Sequence, residues 1–316
     1  MGRRNQVYRR NSRSRYSRYG RDNHLVRNII IISASAVIAL AVAGVLIWYF
    51  VFYQPTQTSQ SDVSSTAPSV IESTQSTEST VSQQTAANSY ETLYPDMYVP
   101  QVEKIGAAEG EKSVYLTFNN APSAQTDKLL EVLDQQGVKA TFFIYCNENT
   151  DEYLKESIKK IHDKGHTVGV LTNTYDYQTI YASVENYLAD FAKVFDLITE
   201  ATGEKPTVFR FAGGSVNGYN QATIKDIVKE MERRGFTYHD WSLDSGDSNQ
   251  WATGQQIYDT TVNGILNSGK SVVLMDNNSS ATLEQLPAII QKAKENGYEF
   301  KAMDATTKPF TMALPE

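Results

Sequence analysis

The sequence predicts an α/β fold, a parallel sheet covered by helices, joined to a membrane-spanning helix by a disordered tether. Three observations lead there. From Ser113 onward, short runs rich in Val, Ile, Thr and aromatic residues alternate with segments of helical spacing. Gly137, Gly165, Gly203, Gly235, Gly269 and Gly297 each fall where a helix should stop. Near the amino terminus, Ile29 to Tyr53 is a run of 25 residues without a charge. With 41% hydrophobic residues over 316 positions, the chain has material for a packed core, which excludes wholesale disorder. One cysteine excludes a disulfide framework and a Cys-rich zinc module, and four histidines leave little for a His-rich metal site.

Residues 1–28 form a basic tail. Nine arginines up to Arg27 face only Asp22, so residues 1–27 carry +8 and the remainder −15 of the total of −7. Residues 29–53 are long enough to span a bilayer, which takes roughly 20 apolar residues. Trp48, Tyr49, Phe52 and Tyr53 cluster at the far end, where amphipathic rings suit the headgroup region. Arginine-rich flanks stay cytoplasmic, so the expected topology is a single-pass protein of the cell membrane, amino terminus inside and carboxyl-terminal domain outside. Cleavage after Ala41-Val42-Ala43 is the competing reading, and it would leave an apolar stub on the mature chain. The adjacent span explains the arginines as orientation, so no nucleic-acid partner is expected. Residues 54–89 form the tether: in Gln54–Thr85, 22 of 32 residues are Ser, Thr or Gln, too polar to offset the entropy of ordering. Tyr90–Pro100 regains aromatics and prolines and reads as an arm packing onto the outer domain, residues 90–316.

Within that domain the expected strands are Ser113–Phe118, Lys139–Tyr145, His166–Leu171, Thr207–Phe211, Thr237–Leu243, Ser271–Met275 and Glu299–Met303. Helical spacing covers Lys128–Gln135, Tyr153–Ile161 and Val184–Ile198, and Ser123 suits the N-cap of the first helix. Seven such units favour a closed or nearly closed barrel, with an open doubly wound sheet as the alternative. Barrel chemistry sits at the carboxyl ends of the strands, which draws attention to Asn119-Asn120, Leu171–Tyr175, Arg210–Ser215, Asp244–Asp247 and Asp276.

Six segments then carry a resemblance. YLTFNNAPS (115–123), KATFFIY (139–145), GHTVGVLTNTYDY (165–177), FRFAGGSVN (209–217), YHDWSLDSGD (238–247) and SVVLMDNN (271–278) occur in this order. Together they resemble the motif series of the polysaccharide deacetylases, the NodB homology domain of carbohydrate esterase family 4. The resemblance implies a distorted (β/α)7 barrel and hydrolysis of acetyl groups on peptidoglycan, chitin or xylan with a divalent metal, usually zinc. It also implies roles by position. Asn119 stands where the family has its general-base Asp, and Asn120 where it has a metal-binding Asp. Leu171 and Tyr175 stand at the two His ligands, and Asp276 at the general-acid His. Thr117, Phe118, Arg210 (which orients the base), Gly213, Gly214, Trp241, Asp244 and Asp247 keep the family frame, whereas Ala212 and Ser248 depart from it.

The substitutions have a physical meaning. A catalytic divalent site needs about three protein ligands and an open position. Leu171 has no donor atom, Asn120 offers a neutral carbonyl, and the Tyr175 phenol keeps its proton near neutrality. Asn119 has no useful basicity. No cofactor is therefore expected. Asp276 would serve as an acid only if neighbouring Asp247 raised its pKa. Bland readings stand beside these: Asn119-Asn120-Ala121-Pro122 as an ordinary strand-to-helix turn, Asp244–Asp247 as loop chemistry, Arg210 as the ion-pair partner of Asp244 or Asp247, and Cys146 as a small buried apolar group. The expectation is a catalytically silent deacetylase-like protein whose cleft, with Tyr175, Trp241, Asp244, Gly213 and Gly214, binds cell-wall glycan or docks an envelope protein. A working deacetylase with an altered site and a purely structural envelope protein are the alternatives.

Overall fold

The computed structural model describes residues 90–106, 108 and 110–315. The expected basic tail, span and tether lie outside the described residues. Eight strands form one sheet: β1 (Ser113–Asn119), β2 (Thr141–Tyr145), β3 (Thr167–Thr172), β4 (Val208–Phe209), β5 (Thr237–Tyr238), β6 (Leu243–Asp244), β7 (Lys270–Asp276) and β8 (Glu299–Phe300). Between them lie α1 (Ala124–Gln136), α2 (Glu152–Asp163), the single turn α3 (Tyr177–Ile180), α4 (Val184–Thr202), α5 (Ile224–Arg233), α6 (Gly254–Leu266) and α7 (Ser280–Glu295). Every strand pairing is parallel, in the order β5-β4-β3-β2-β1-β7-β6. β8 takes the part of β1 that β2 leaves free, pairing Ser113 and Val114 while β2 pairs Thr117–Asn119.

The local chemistry accounts for these elements. Ser123 caps α1 in a reciprocal box with Thr126, and Gly137 ends that helix in the left-handed conformation. β1 alternates between two buried environments. Val114, Leu116 and Phe118 face the helices, while Tyr115 joins Phe143, Leu171, Val208, Val272 and Met303 inside the curl of the sheet. Its alternation of Ser113, Tyr115, Thr117 and Asn119 with Val114, Leu116 and Phe118 thus marks the inner and outer faces, with all but Asn119 buried.

Thr237–Leu243 is two short strands where one was expected, and the curled sheet leaves its edge strands β5 and β6 unpaired, as the expected nearly closed barrel allows. Between them the chain crosses from one edge of the sheet to the other. The His239 N–H still donates to Phe209 O beside β4, whereas the Ser242 N–H donates to Val272 O on β7. One segment serving both edges cannot also pair with itself. The intervening Asp240 N–H donates to Phe310 O (2.6 Å), so the carboxyl-terminal segment covers the seam. β8 likewise covers only the first two residues of the expected strand Glu299–Met303.

The arm Tyr90–Pro100 wraps one buried cation. Arg234, with no solvent exposure, pairs with Glu230 (2.6 Å) and donates to the carbonyls of Tyr90, Leu93, Tyr94 and Met97. The next residue must then be small. Gly235 has φ +92°, and a Cβ there would lie 2.1 Å from Val99 O. Gly235→Ala is therefore expected to destabilise the domain by about 1–3 kcal/mol or more through strain and displacement of the arm. Gly218→Ala, with open space around it, should stay within about 0.5 kcal/mol. Urea denaturation of both variants checks this contrast.

Candidate functional site

A cleft of about 290 Å³ opens at the carboxyl ends of the strands. Asn119, Asn120, Leu171, Tyr175, Gly213, Trp241, Asp244, Asp247 and Asp276 all line it, so the fold gathers positions from five of the six motifs. Arg210 lies behind the wall and Gly214 supports it. The adjacent strands β1 and β7 set the first pair: Asn119 and Asp276 are register partners at their ends. The next residue turns the chain toward α1, with Asn120 at φ +89°, a left-handed conformation that Asn tolerates better than most residues. Asn277 locks this turn, donating to Ala121 O (2.8 Å) and accepting from Thr126 Oγ1 (2.7 Å). Tyr175 sits on the loop after β3. That loop is tied down by Asp190 of α4, whose carboxylate accepts from Thr172 Oγ1 and from the N–H groups of Asn173 and Thr174.

Arg210 organises the floor. Its guanidinium is fully buried and donates to Thr117 Oγ1 (2.8 Å), Asn119 Oδ1 (3.0 Å), His239 O (2.9 Å) and Asp240 O (3.0 Å). It lies 4.3 Å from the Phe143 ring centroid and 5.6 Å from that of Trp241. Burial pulls its pKa down to about 9, while the nearby Asp240 charge acts in the opposite sense. The expected ion pair of Arg210 with Asp244 or Asp247 does not form, because neutral oxygens take its donors. The Asp240 carboxylate accepts instead from Ser215 N, Ser215 Oγ and Met312 N. Gly213 and Gly214, at φ +75° and +85°, leave room for two rings. A Cβ would lie 3.4 Å from Tyr177 at the first and 3.1 Å from Trp241 at the second.

The three positions implied as metal ligands do not form a donor set. The Tyr175 hydroxyl donates to Asn120 Oδ1 at 2.5 Å, so two of them bond to each other. Loss of hydration raises the Tyr175 pKa, and Tyr177, Asp276 and Tyr145 add to it, which keeps the phenol protonated. Leu171 is 3% exposed and packs within the inner cluster. Among the described residues, no three His, Cys, Asp or Glu side chains come together as a metal site. None of the described histidines lines the cleft. His239 is wholly buried, its pKa pushed down to about 3 by burial and then by Arg210. His166, held to about 4 by burial, accepts from the Ala140 N–H. Cys146 is buried and donates to Asn173 Oδ1, with its thiol pushed up to about 11.

Three carboxylates remain. Asp247 Oδ2 accepts from the Asp276 N–H (2.9 Å) and Thr282 Oγ1 (2.5 Å). Its pKa is raised, first by burial and in smaller part by the Asp276 charge. Sequence reading paired these two residues, and the structure sets the Asp276 N–H on the Asp247 carboxylate. It passed over Asn277, Asp190, the carboxylate of Asp240 and the Phe310–Met312 segment. Only Asp190 left a trace, a carboxylate on the apolar face of α4 beside Tyr187 and Phe191. Native Asp247 holds its proton to higher pH than the unfolded chain, so its ionisation costs stability as pH rises through the raised value. That cost is absent below the ordinary carboxylate range. Asp247→Asn should therefore gain stability relative to the parent as pH rises through this window and show no such gain in acid, as read by thermal melts across pH. In ¹³C NMR, Asp276→Asn should move the Asp247 titration downward, and an unmoved titration would contradict the coupling.

Comparison with known proteins agrees with this geometry. The polysaccharide deacetylase family profile matches residues 106–239. The Bacillus subtilis protein YheN, whose name as a polysaccharide deacetylase is itself provisional, is 32% identical over 206 residues, 63% of this chain and 70% of that protein. The peptidoglycan-N-acetylglucosamine deacetylase of Bacillus cereus is 31% identical over 198 residues, 60% of this chain and 69% of that one. The catalytic domain of a peptidoglycan N-acetylglucosamine deacetylase from Eubacterium rectale superposes with a TM-score of 0.63 at 28% identity, covering 68% of this chain and 98% of its own. With its curled parallel sheet and its cleft at the strand ends, the chain belongs to the polysaccharide deacetylase family.

Proposed function

We propose that this chain is a non-hydrolytic member of its family that binds cell-wall glycan through the cleft. The hydrogen bond from Tyr175 to Asn120 carries the reading. It joins two side chains at positions where the resemblance implies metal ligands, and the third such position, Leu171, is apolar and buried. Asn119, at the implied base position, accepts a hydrogen bond from Arg210 and has no basicity to activate water. General acid–base help is worth roughly 10²–10⁴-fold and metal activation of water several kcal/mol, so losing both leaves little turnover. The walls of aromatic rings, amides and carboxylates suit a sugar polymer, and peptidoglycan deacetylation is the activity named for the Bacillus cereus relative. The arginine-rich tail and the uncharged run Ile29–Tyr53 support an anchored protein with this domain outside the membrane.

The full-length chain supplied with zinc, cobalt or manganese should release no acetate from N-acetylated chitin oligomers or peptidoglycan. Metal-dependent turnover abolished by a chelator would overturn the proposal and leave a working deacetylase. The combined change Asn119→Asp, Asn120→Asp, Leu171→His, Tyr175→His and Asp276→His should create zinc binding, read by metal content after dialysis. Protease added to intact cells should remove the carboxyl-terminal domain while sparing an epitope placed before Ile29.

A further inference from the structure

The charge balance of the cleft identifies the kind of glycan. Asp244, Asp247 and Asp276 line it, and no Lys, Arg or His lies among its lining residues. None of the three carboxylates forms an ion pair with a described residue. Asp244 and Asp276 each spend Oδ1 on a nearby backbone N–H, of Gly246 and Asn278, at 2.8 Å. The second oxygen of each takes no hydrogen bond from a described residue. Asn119 and Asn120 present amide oxygens that already accept one bond each and hold a second lone pair. The nearest cation, Arg210, turns its donors to Thr117, Asn119 and two backbone carbonyls. The cleft therefore carries three carboxylates and no cation, and its donors are the neutral groups of Asn119, Asn120, Tyr177, Trp241 and Ser248.

An N-acetyl group is neutral and gains nothing from the charge of the three carboxylates. An ammonium brings three donors and a positive charge, which match carboxylates and amide oxygens. The rim supplies the other half of sugar recognition. Tyr175, 40% exposed, meets the edge of Tyr177 (6.1 Å, 88°), and Tyr177 packs against Tyr219, 54% exposed, at 5.5 Å. This ridge offers apolar faces to sugar rings. The domain as a whole repels anions: residues 90–316 hold 20 Lys and Arg against 32 Asp and Glu, so −12.

We infer that the cleft selects de-N-acetylated amino sugar, a glycan carrying free ammonium groups, over its N-acetylated form. The inference rests on the glycan-binding reading and names its ligand class. Such a ligand is what hydrolytic de-N-acetylation of an N-acetylglucosamine polymer leaves behind, so the chain would recognise the product of the reaction named for its Bacillus cereus relative.

The test is a calorimetric titration of the full-length chain, near neutral pH and at low salt. The probes are a β-1,4-linked N-acetylglucosamine oligomer and its fully de-N-acetylated counterpart of equal length. The de-N-acetylated oligomer should bind about tenfold tighter or more, the worth of one charge-assisted hydrogen bond. Added salt should shrink that preference. Asp276→Asn and Asp244→Asn should cost the de-N-acetylated oligomer more affinity than the acetylated one and so shrink the preference, whereas Tyr219→Ala should weaken both alike. Equal or tighter binding of the acetylated oligomer overturns the inference while the glycan reading stands. Equally tight uptake of a linear polyamine of the same charge assigns the effect to bulk electrostatics and also overturns it. Binding of neither oligomer overturns the inference and the glycan reading together.

Discussion

Arg210 is the constraint on which the rest of the domain depends. A guanidinium without solvent is costly unless its donors are satisfied, and here they are satisfied by four oxygens from two parts of the chain. Thr117 and Asn119 belong to β1, and the carbonyls of His239 and Asp240 belong to the segment that follows β5. Thr117 itself donates to Val273 O on β7 at 2.6 Å, which extends the link one strand further. The Phe143 ring at 4.3 Å covers one side of the guanidinium. The same contacts that stabilise the cation hold Asn119 against the floor of the cleft, so fold and site share one interaction.

The unpaired seam between β5 and β6 follows from this arrangement. The His239 and Asp240 carbonyls serve Arg210 and are lost to strand pairing, and the chain between the two strands bends across the barrel. Asp240 secures the bend with its carboxylate on Ser215 and Met312 and its N–H on Phe310 O. The Phe310 ring fills the interior beneath, 5.4 Å from Tyr115 and 4.1 Å from the Lys270 ammonium. Irregular backbone is thereby concentrated beside the cleft, while the paired strands β1, β2, β3 and β7 form its support, with one register shift at Ile144–Tyr145. Such placement is common where a fold aims side chains at a site.

A frame and a chemistry can separate within one family. The residues that shape the cleft here, Arg210, Gly213, Gly214 and Trp241, leave its walls intact. The residues that face its contents have become amides, a phenol, an apolar group and a carboxylate. On the proposed reading, the cleft meets a ligand's donors with these oxygens instead of organising a metal ion. Tyr175 shows the economy of the change: its ring joins the aromatic rim, and its hydroxyl settles the amide of Asn120.

Much of this was legible in residue order because local physics governs it. Glycine stops at Gly137, Gly165, Gly203, Gly235 and Gly297 adopt positive φ, since left-handed backbone favours glycine whatever surrounds it. Gly269 does not, because a residue's position after a helix does not fix its torsion. The strand–helix alternation and the six motifs at the strand ends follow from periodicities of two and 3.6 residues. The sequence by itself determined the fold class, most members of the cleft and the absence of a donor atom at Leu171, because donor atoms are a property of residue type. Only the tertiary structure decided the partners: Tyr175 with Asn120, Arg210 with neutral oxygens instead of Asp244 or Asp247, the raised pKa at Asp247 and the seam closed by Phe310. Those outcomes depend on distance and burial between residues up to 93 positions apart in the chain, such as Thr117 and Arg210, and no local pattern encodes such a distance.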